Sequence, residues 1–127
     1  MIIQFDRVTK RYPLGQEALK EVSFQLEKGE MAFLTGHSGA GKTTVLKLIA
    51  LMERPSSGQI LIDGHNLNRI RGNKIAYLRR AIGVIFQQPR LLHDRSVFDN
   101  VALALEVTGL HPKEIGKRVR AALDKVG

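Results

Sequence analysis

The chain has 127 residues, a formal net charge of +8 and no cysteine. Its length suits one domain, and its hydrophobic fraction of 43% is typical of a globular protein. The lack of cysteine excludes disulfide scaffolds and thiolate metal sites, and no apolar run is long enough to span a bilayer.

The first thirty residues predict a small β unit. Ile3 and Phe5 alternate with polar neighbours, and the same alternation recurs from residue 22 to residue 26. Residues 1–6 lack a charged start and a long apolar run, so we expect no secretory signal. The apolar run at residues 31–35 predicts a buried strand that leads into a glycine-rich segment.

That segment, GHSGAGKT from Gly36 to Thr43, matches G-x-x-x-x-G-K-[ST] at every fixed position. A helix is predicted to follow it, from residue 43 to about residue 52. The glycines allow backbone N–H groups to surround phosphate oxygens, and a helix N-terminus adds partial positive charge. The pattern therefore predicts that Lys42 binds the β- and γ-phosphates of a nucleotide, and that Thr43 offers a hydroxyl to Mg²⁺. We expect Thr44 to assist at the α-phosphate.

The alternative to a phosphate-binding loop is a glycine-rich turn that only caps a helix. The lysine, the hydroxyl and the predicted flanks together favour the phosphate-binding loop. His37 occupies one of the variable positions of the pattern, so we do not expect it to be a catalytic base.

The remaining elements follow in chain order. We expect a short strand at residues 59–62, a helix at about 73–80 and a buried strand at 82–86. Ser96 and Asp99 form a capping-box pattern, which predicts a helix ending near Gly109. Pro112 opens a last helix, whose predicted apolar face is Ile115, Val119, Ala122, Leu123 and Val126.

Basic residues are concentrated in two of the predicted helical regions. The clusters are Arg69, Arg71, Lys74, Arg79 and Arg80, and then Lys113, Lys117, Arg118, Arg120 and Lys125. Nucleic-acid binding is one interpretation, but no nucleic-acid-binding motif accompanies the charges and only seven residues are aromatic. We favour solvated helix faces, which are also compatible with weak attraction to an anionic membrane surface.

Two further residues are candidates for nucleotide binding when they are considered together with the loop. Tyr12 could stack on a purine or simply pack at a strand end. Gln87 directly follows the predicted strand at 82–86, and a glutamine at such a strand end can face bound phosphates, coordinate Mg²⁺ and sense the γ-phosphate. Either residue alone is a weak signal.

Together, the aromatic residue, the loop and the glutamine resemble the ATP-binding subunit of ABC transporters over essentially the whole chain. Tyr12 is similar to that family's adenine-stacking aromatic, residues 36–44 to its Walker A loop and Gln87 to its Q-loop. The run at residues 29–42 most resembles members that act in bacterial cell division. The resemblance implies the following nucleotide-binding residues: Tyr12, Gly36, His37, Ser38, Gly39, Ala40, Gly41, Lys42, Thr43, Thr44 and Gln87, with Thr43 and Gln87 also binding the metal.

The resemblance implies an α/β P-loop NTPase fold of the ABC type. Residues 1–86 would form an N-terminal antiparallel β subdomain with the P-loop and an incomplete parallel core sheet, and residues 87–127 the Q-loop and the start of the helical subdomain. The family's signature, Walker B and switch motifs do not occur in these residues. We therefore expect the N-terminal part of one ABC domain, which binds ATP and Mg²⁺ but does not hydrolyse ATP alone.

The resemblance also implies partners and a location. The parent protein is expected to be a homodimer on the cytoplasmic face of the bacterial inner membrane, held there by an FtsX-like membrane protein and binding no nucleic acid. Two alternatives stay open. The chain could be a non-catalytic, nucleotide-responsive interaction module, or part of the ATPase subunit of another ABC transporter.

Overall fold

A four-stranded antiparallel sheet dominates the first part of the computed structural model, which describes residues 1–39 and 41–127. The elements are β1 (Ile3–Arg11), β2 (Glu17–Leu26), α1 (Lys42–Ile49), β3 (Ser57–Ile62), β4 (His65–Asn66), α2 (Asn73–Ala81), α3 (Val97–Glu106) and α4 (Pro112–Val126). A short 3-10 helix, Leu67–Arg69, follows β4. The chain divides into two compact units, Met1–Arg79 and Arg80–Gly127.

The sheet of the first unit has the strand order β2-β1-β3-β4. Phe5 of β1 pairs with Phe24 of β2 on one side and with Ile60 of β3 on the other, and the two phenylalanine rings stack 4.5 Å apart. Phe5 and Ile60 are buried, as is Leu48 of α1. The alternation read from the sequence therefore does mark the inward face of an antiparallel sheet.

The pairing of β1 with β2 shifts register at three places, and a residue with left-handed backbone lies at two of them. Arg7 and Glu21 have positive φ angles of 46° and 45°, in the left-handed region that side chains rarely adopt. Side-chain hydroxyls accept hydrogen bonds from the displaced amides: Ser23 Oγ from Arg7 N at 2.8 Å, and Thr9 Oγ1 from Glu21 N at 3.1 Å. These hydroxyls replace partners that the ladder no longer supplies.

The two strands predicted at residues 31–35 and 82–86 are not formed, and that prediction is wrong for this structure. Both segments lack regular structure, with Phe33 84% exposed and Ile85 96% exposed. A strand requires a neighbouring strand to take its backbone hydrogen bonds. Within residues 1–39 and 41–127, no strand pairs with either segment. The predicted parallel sheet is therefore absent from the described residues, whereas the antiparallel sheet is present.

The second unit is built on α3 and α4. Ala102, Ile115 and Val119 are buried at its centre, surrounded by partly buried apolar side chains. Ser96 Oγ caps α3 by accepting from Asp99 N, and His111 Nδ1 caps α4 by accepting from Lys113 N. Both helix starts confirm the sequence prediction. Within the described residues, no helix combines the length and apolar character needed to cross a membrane.

The loop before α3 is held by one side chain. Asn100 Oδ1 accepts from the amide of Leu92 at 2.8 Å, and Asn100 Nδ2 donates to the carbonyls of Leu92 and Ser96 at 3.1 and 2.8 Å. We expect Asn100→Ala to speed hydrogen exchange of the Leu92 amide by about fivefold, because a lost hydrogen bond of this kind is worth about 1 kcal/mol. Asn100→Asp keeps the acceptor and should have the smaller effect. Unchanged exchange in Asn100→Ala would contradict this assignment.

Candidate nucleotide-binding loop

Glycine is required where the loop meets α1. Gly41 is the N-cap residue of α1, with a φ of 97° and no side chain to cap the helix. A Cβ at this position would lie 2.5 Å from the carbonyl oxygen of Ala18 and 2.8 Å from Leu19 Cδ2, both in β2. Gly39 has a φ of 80° in open space. The loop therefore passes tightly against β2 and leaves the first amides of α1 without a side-chain partner.

Lys42 folds back over this loop. Its Nζ donates to the carbonyl of Gly36 at 2.5 Å and to the carbonyl of His37 at 2.8 Å. The loop residues 36–39 are exposed. The ammonium is thus placed at an open loop, where anionic oxygens could replace the two carbonyls as its acceptors.

His37 contacts the backbone of the next residue. Its Nδ1 lies 2.8 Å from the carbonyl of Ser38 and, because a carbonyl only accepts, donates to it. The ring is exposed. The bond ties His37 to the loop's own backbone, and the expectation that it is not a base stays a prediction.

The two threonines that follow Lys42 have different surroundings. Thr43 is exposed in the first turn of α1, whereas Thr44 is 7% exposed. The hydroxyl of Thr44 lies 3.2 Å from the hydroxyl of Tyr12. Thr43 is therefore open to a ligand such as Mg²⁺, while the predicted role of Thr44 at the α-phosphate stays a prediction.

Tyr12 lies directly after β1 and is tied to the far end of α1. Its hydroxyl donates to Glu53 Oε2 at 2.6 Å, and the Nζ of Lys10 lies over its ring, 5.3 Å from the centroid. Lys10 Nζ also donates to the carbonyl of Arg54 at 2.8 Å. The structure thus brings Tyr12 against Thr44 in the first turn of α1, and its predicted stacking on a purine stays a prediction. Glu53 is a residue that sequence reasoning did not assign to the site, because 41 positions separate it from Tyr12.

The hydrogen bond to Glu53 raises the pKa of Tyr12 above its ordinary value of about 10, although the bond to Thr44 acts in the opposite direction. Because the folded-state pKa is raised, the bond's stabilisation is present below the unfolded-state pKa and is lost as the pH rises through the folded-state value.

The chain has two tyrosines and no tryptophan. In Tyr77→Phe we therefore expect ultraviolet absorbance to show phenolate at a higher pH in the folded chain than in denaturant. Adding Tyr12→Phe must abolish the signal, and equal folded and denatured titrations would contradict the assignment.

Two predicted site residues remain outside this arrangement. Ala40 lies outside the described residues. Gln87 belongs to the second unit, where it is exposed in a bend, and its place beside bound phosphates stays a prediction. Among residues 1–39 and 41–127, no group of three or more His, Asp or Glu side chains could hold a metal ion. The predicted roles of Thr43 and Gln87 as metal ligands stay predictions.

The sequence profile described as "ABC transporter" matches residues 19–127. The chain belongs to the ABC transporter family. It is 53% identical over 126 residues to the cell division ATP-binding protein FtsE of Escherichia coli, covering 99% of this chain and 57% of that protein. It is 41% identical to the methionine import ATP-binding protein MetN of Helicobacter pylori, covering 100% of this chain and 39% of that protein.

A solved structure agrees with this family. The ATP-binding cassette MJ0796, in a dimeric post-hydrolysis state bound to ADP and Pi, matches with a TM-score of 0.86 and 31% identity, over 96% of this chain and 56% of that one. The likeness to ABC cassettes confirms the predicted α/β fold class. The chain spans a little over half the length of the FtsE protein and of this cassette.

Proposed function

We propose that this chain binds ATP and Mg²⁺ through the loop at residues 36–44. The observation that carries the proposal is the position of the Lys42 ammonium, within hydrogen-bond distance of two carbonyls of an exposed, glycine-shaped loop at a helix N-terminus. Oriented amides, a helix N-terminus and one ammonium group are a suitable environment for a polyphosphate. Membership of the ABC transporter family supports the same ligand.

The residues of the predicted site have different roles in this proposal. The amides before and within the first turn of α1 donate to phosphate oxygens, and Lys42 exchanges its loop carbonyls for the β- and γ-phosphates. Thr43 and Gln87 contribute oxygen ligands to Mg²⁺, which neutralises phosphate charge when it is bound. Tyr12 offers its ring to the base. We do not expect these 127 residues alone to hydrolyse ATP, since after Gln87 they contain no apolar run ending in Asp-Glu that could supply the family's catalytic carboxylate.

We further propose that the chain acts in an FtsE/FtsX-like complex in bacterial cell division. The 53% identity to FtsE exceeds the 41% identity to MetN over nearly the same residues. In this role the parent protein would dimerise, as the similar cassette MJ0796 does, and would sit on the cytoplasmic face of the inner membrane through an FtsX-like protein. Nucleotide binding would then drive a conformational change in that partner.

Two alternatives have their own support. The likeness to MetN is consistent with the ATPase subunit of another ABC transporter. Lys113, Lys117 and Arg120 are exposed along α4, which suits an interaction module with acidic partners. A helix face that is simply solvated would expose the same basic side chains. Their exposure therefore does not favour the interaction module over the transporter subunit.

Partner capture separates the cell-division role from the transporter role. The tagged chain would be co-expressed with an FtsX-like membrane protein and, separately, with the membrane subunit of a methionine importer. We expect capture of the first after detergent extraction and none of the second. Capture of the importer subunit alone would overturn the cell-division role while leaving ATP binding intact, and a matched culture without the tag reports background.

A further inference from the structure

We propose that Glu53 is a positioning residue for the nucleotide base, acting through the phenol of Tyr12. This inference rests on the proposed binding of ATP and deepens it. The hydroxyl of Tyr12 donates to Glu53 Oε2 at 2.6 Å, the shortest of the contacts that hold this side chain. Hydrogen bonds from a hydroxyl to a carboxylate are about twice as strong as neutral ones.

The contact joins elements that are remote in sequence but meet in the first unit. Tyr12 lies in the turn between β1 and β2, where its amide donates to the carbonyl of Gln16 at 2.8 Å. Glu53 lies just beyond α1, and its amide donates to the carbonyl of Lys47 at 3.4 Å. Without the phenol contact, the turn would have one fewer bond to the segment that follows α1.

Thr44 extends the connection into the loop itself. Its buried hydroxyl lies 3.2 Å from that of Tyr12, and Thr44 follows the predicted phosphate and metal ligands Lys42 and Thr43 directly in the chain. Glu53, Tyr12 and Thr44 therefore form one hydrogen-bonded series from the end of α1 to its first turn. Such a series fixes the distance between the tyrosine ring and the phosphates, which a nucleotide must match at both ends.

Lys10 limits the faces of the ring. Its ammonium lies over the ring of Tyr12, 5.3 Å from the centroid, and is held by the carbonyl of Arg54. A purine must therefore stack on the opposite face or displace the ammonium. Glu53 holds the hydroxyl of Tyr12 and Lys10 covers one face of its ring, so the ring has little freedom to turn. The ring is therefore ordered before the base binds, which lowers the entropic cost of binding.

The test compares two ligands that differ in the base. ATP–Mg²⁺ contacts both the loop and the ring, whereas tripolyphosphate–Mg²⁺ contacts the loop alone. We expect Glu53→Ala and Tyr12→Phe each to weaken ATP binding by about three- to tenfold, because base stacking on an aromatic side chain is worth about that much or more. Neither variant should change tripolyphosphate binding. The double variant should be no weaker than either single one, since both remove the same bond.

Three controls make the result specific. Glu106→Gln removes one negative charge elsewhere and should leave both affinities unchanged. Lys47→Gln removes the ammonium 3.9 Å from Glu53 and tests whether that ion pair carries the effect. In a Tyr77→Phe background, Glu53→Ala should also lower the pH at which Tyr12 forms phenolate, which verifies that the carboxylate contacts the phenol.

The outcomes separate this inference from the proposal beneath it. Equal losses for ATP and tripolyphosphate in Glu53→Ala, or no loss for either, would overturn the positioning role while the loop still binds phosphate. If Lys47→Gln reproduces the loss, the ion pair carries it and the role assigned to the phenol is wrong. If the folded wild-type chain binds neither ligand, the proposed function fails and this inference fails with it.

Discussion

Gly41→Ala is expected to weaken ATP–Mg²⁺ binding by at least about 30-fold, which corresponds to roughly 2 kcal/mol. The added methyl would lie 2.5 Å from the carbonyl oxygen of Ala18, closer than real Cβ contacts allow, and alanine also resists a φ of 97°. The start of α1 must therefore move away from β2. Because Lys42 and the free amides of the first turn move with it, the ligand loses several contacts together.

Two other glycines serve as matched controls for this result. Gly39→Ala meets the same backbone strain, with a φ of 80°, but nothing lies within 4 Å of its Cβ. Gly83→Ala meets neither strain nor a neighbour. Titration calorimetry should rank the losses as Gly41 above Gly39 above Gly83. A Gly41→Ala chain that binds as tightly as the wild type would show that the contact with Ala18 does not set the shape of the loop.

Lys42→Ala is expected to reduce ATP–Mg²⁺ affinity by a similar or larger factor, at least about 30-fold, because removing one partner of a charged hydrogen-bonded pair costs about 2–5 kcal/mol. In the structure the ammonium donates to the carbonyls of Gly36 and His37, and neutral carbonyls can be exchanged for phosphate oxygens without separating opposite charges. The variant also releases the loop, which should fluctuate more before binding.

Charge and shape are separated by two controls. Lys28→Ala removes a lysine from an exposed turn and should leave affinity unchanged. Lys42→Arg keeps the charge but replaces a compact ammonium by a planar group, and we expect an intermediate loss. If Lys28→Ala matches Lys42→Ala, the ligand is responding to net charge and the specific role of Lys42 is wrong.

The sequence predicted the features that depend on neighbours along the chain. Ser96 is a local cap of α3 and Pro112 lies at the start of α4, and the apolar alternation in β1 marks which side chains face inward. The phosphate-binding loop is likewise a continuous motif. Among the residues predicted for the face of α4, Ile115 and Val119 are buried and Leu123 is half-buried, whereas Ala122 and Val126 are exposed. Such features follow from spacing because the interacting groups lie within a few residues of one another.

The features that sequence reasoning missed depend on distant partners. The run at residues 31–35 is apolar enough for a buried strand, but an apolar pattern does not provide the neighbouring strand that its backbone needs. The bond between Tyr12 and Glu53 spans 41 residues, and no motif connects the two. The backbone amides of Arg7 and Glu21, which have left-handed φ angles, donate to side-chain hydroxyls on the adjoining strand. These partners can be identified only when the strand register is known.

The central claim is that the loop at residues 36–44 recognises the β- and γ-phosphates of a nucleotide. Titration calorimetry of the folded wild-type chain with ATP–Mg²⁺ and, separately, with AMP–Mg²⁺ tests it most directly, because the two ligands share the base and ribose. The account predicts saturable ATP binding at one site and AMP binding weaker by at least about 30-fold. Equal affinity for ATP and AMP, or no binding of ATP by a chain that is folded, would contradict it.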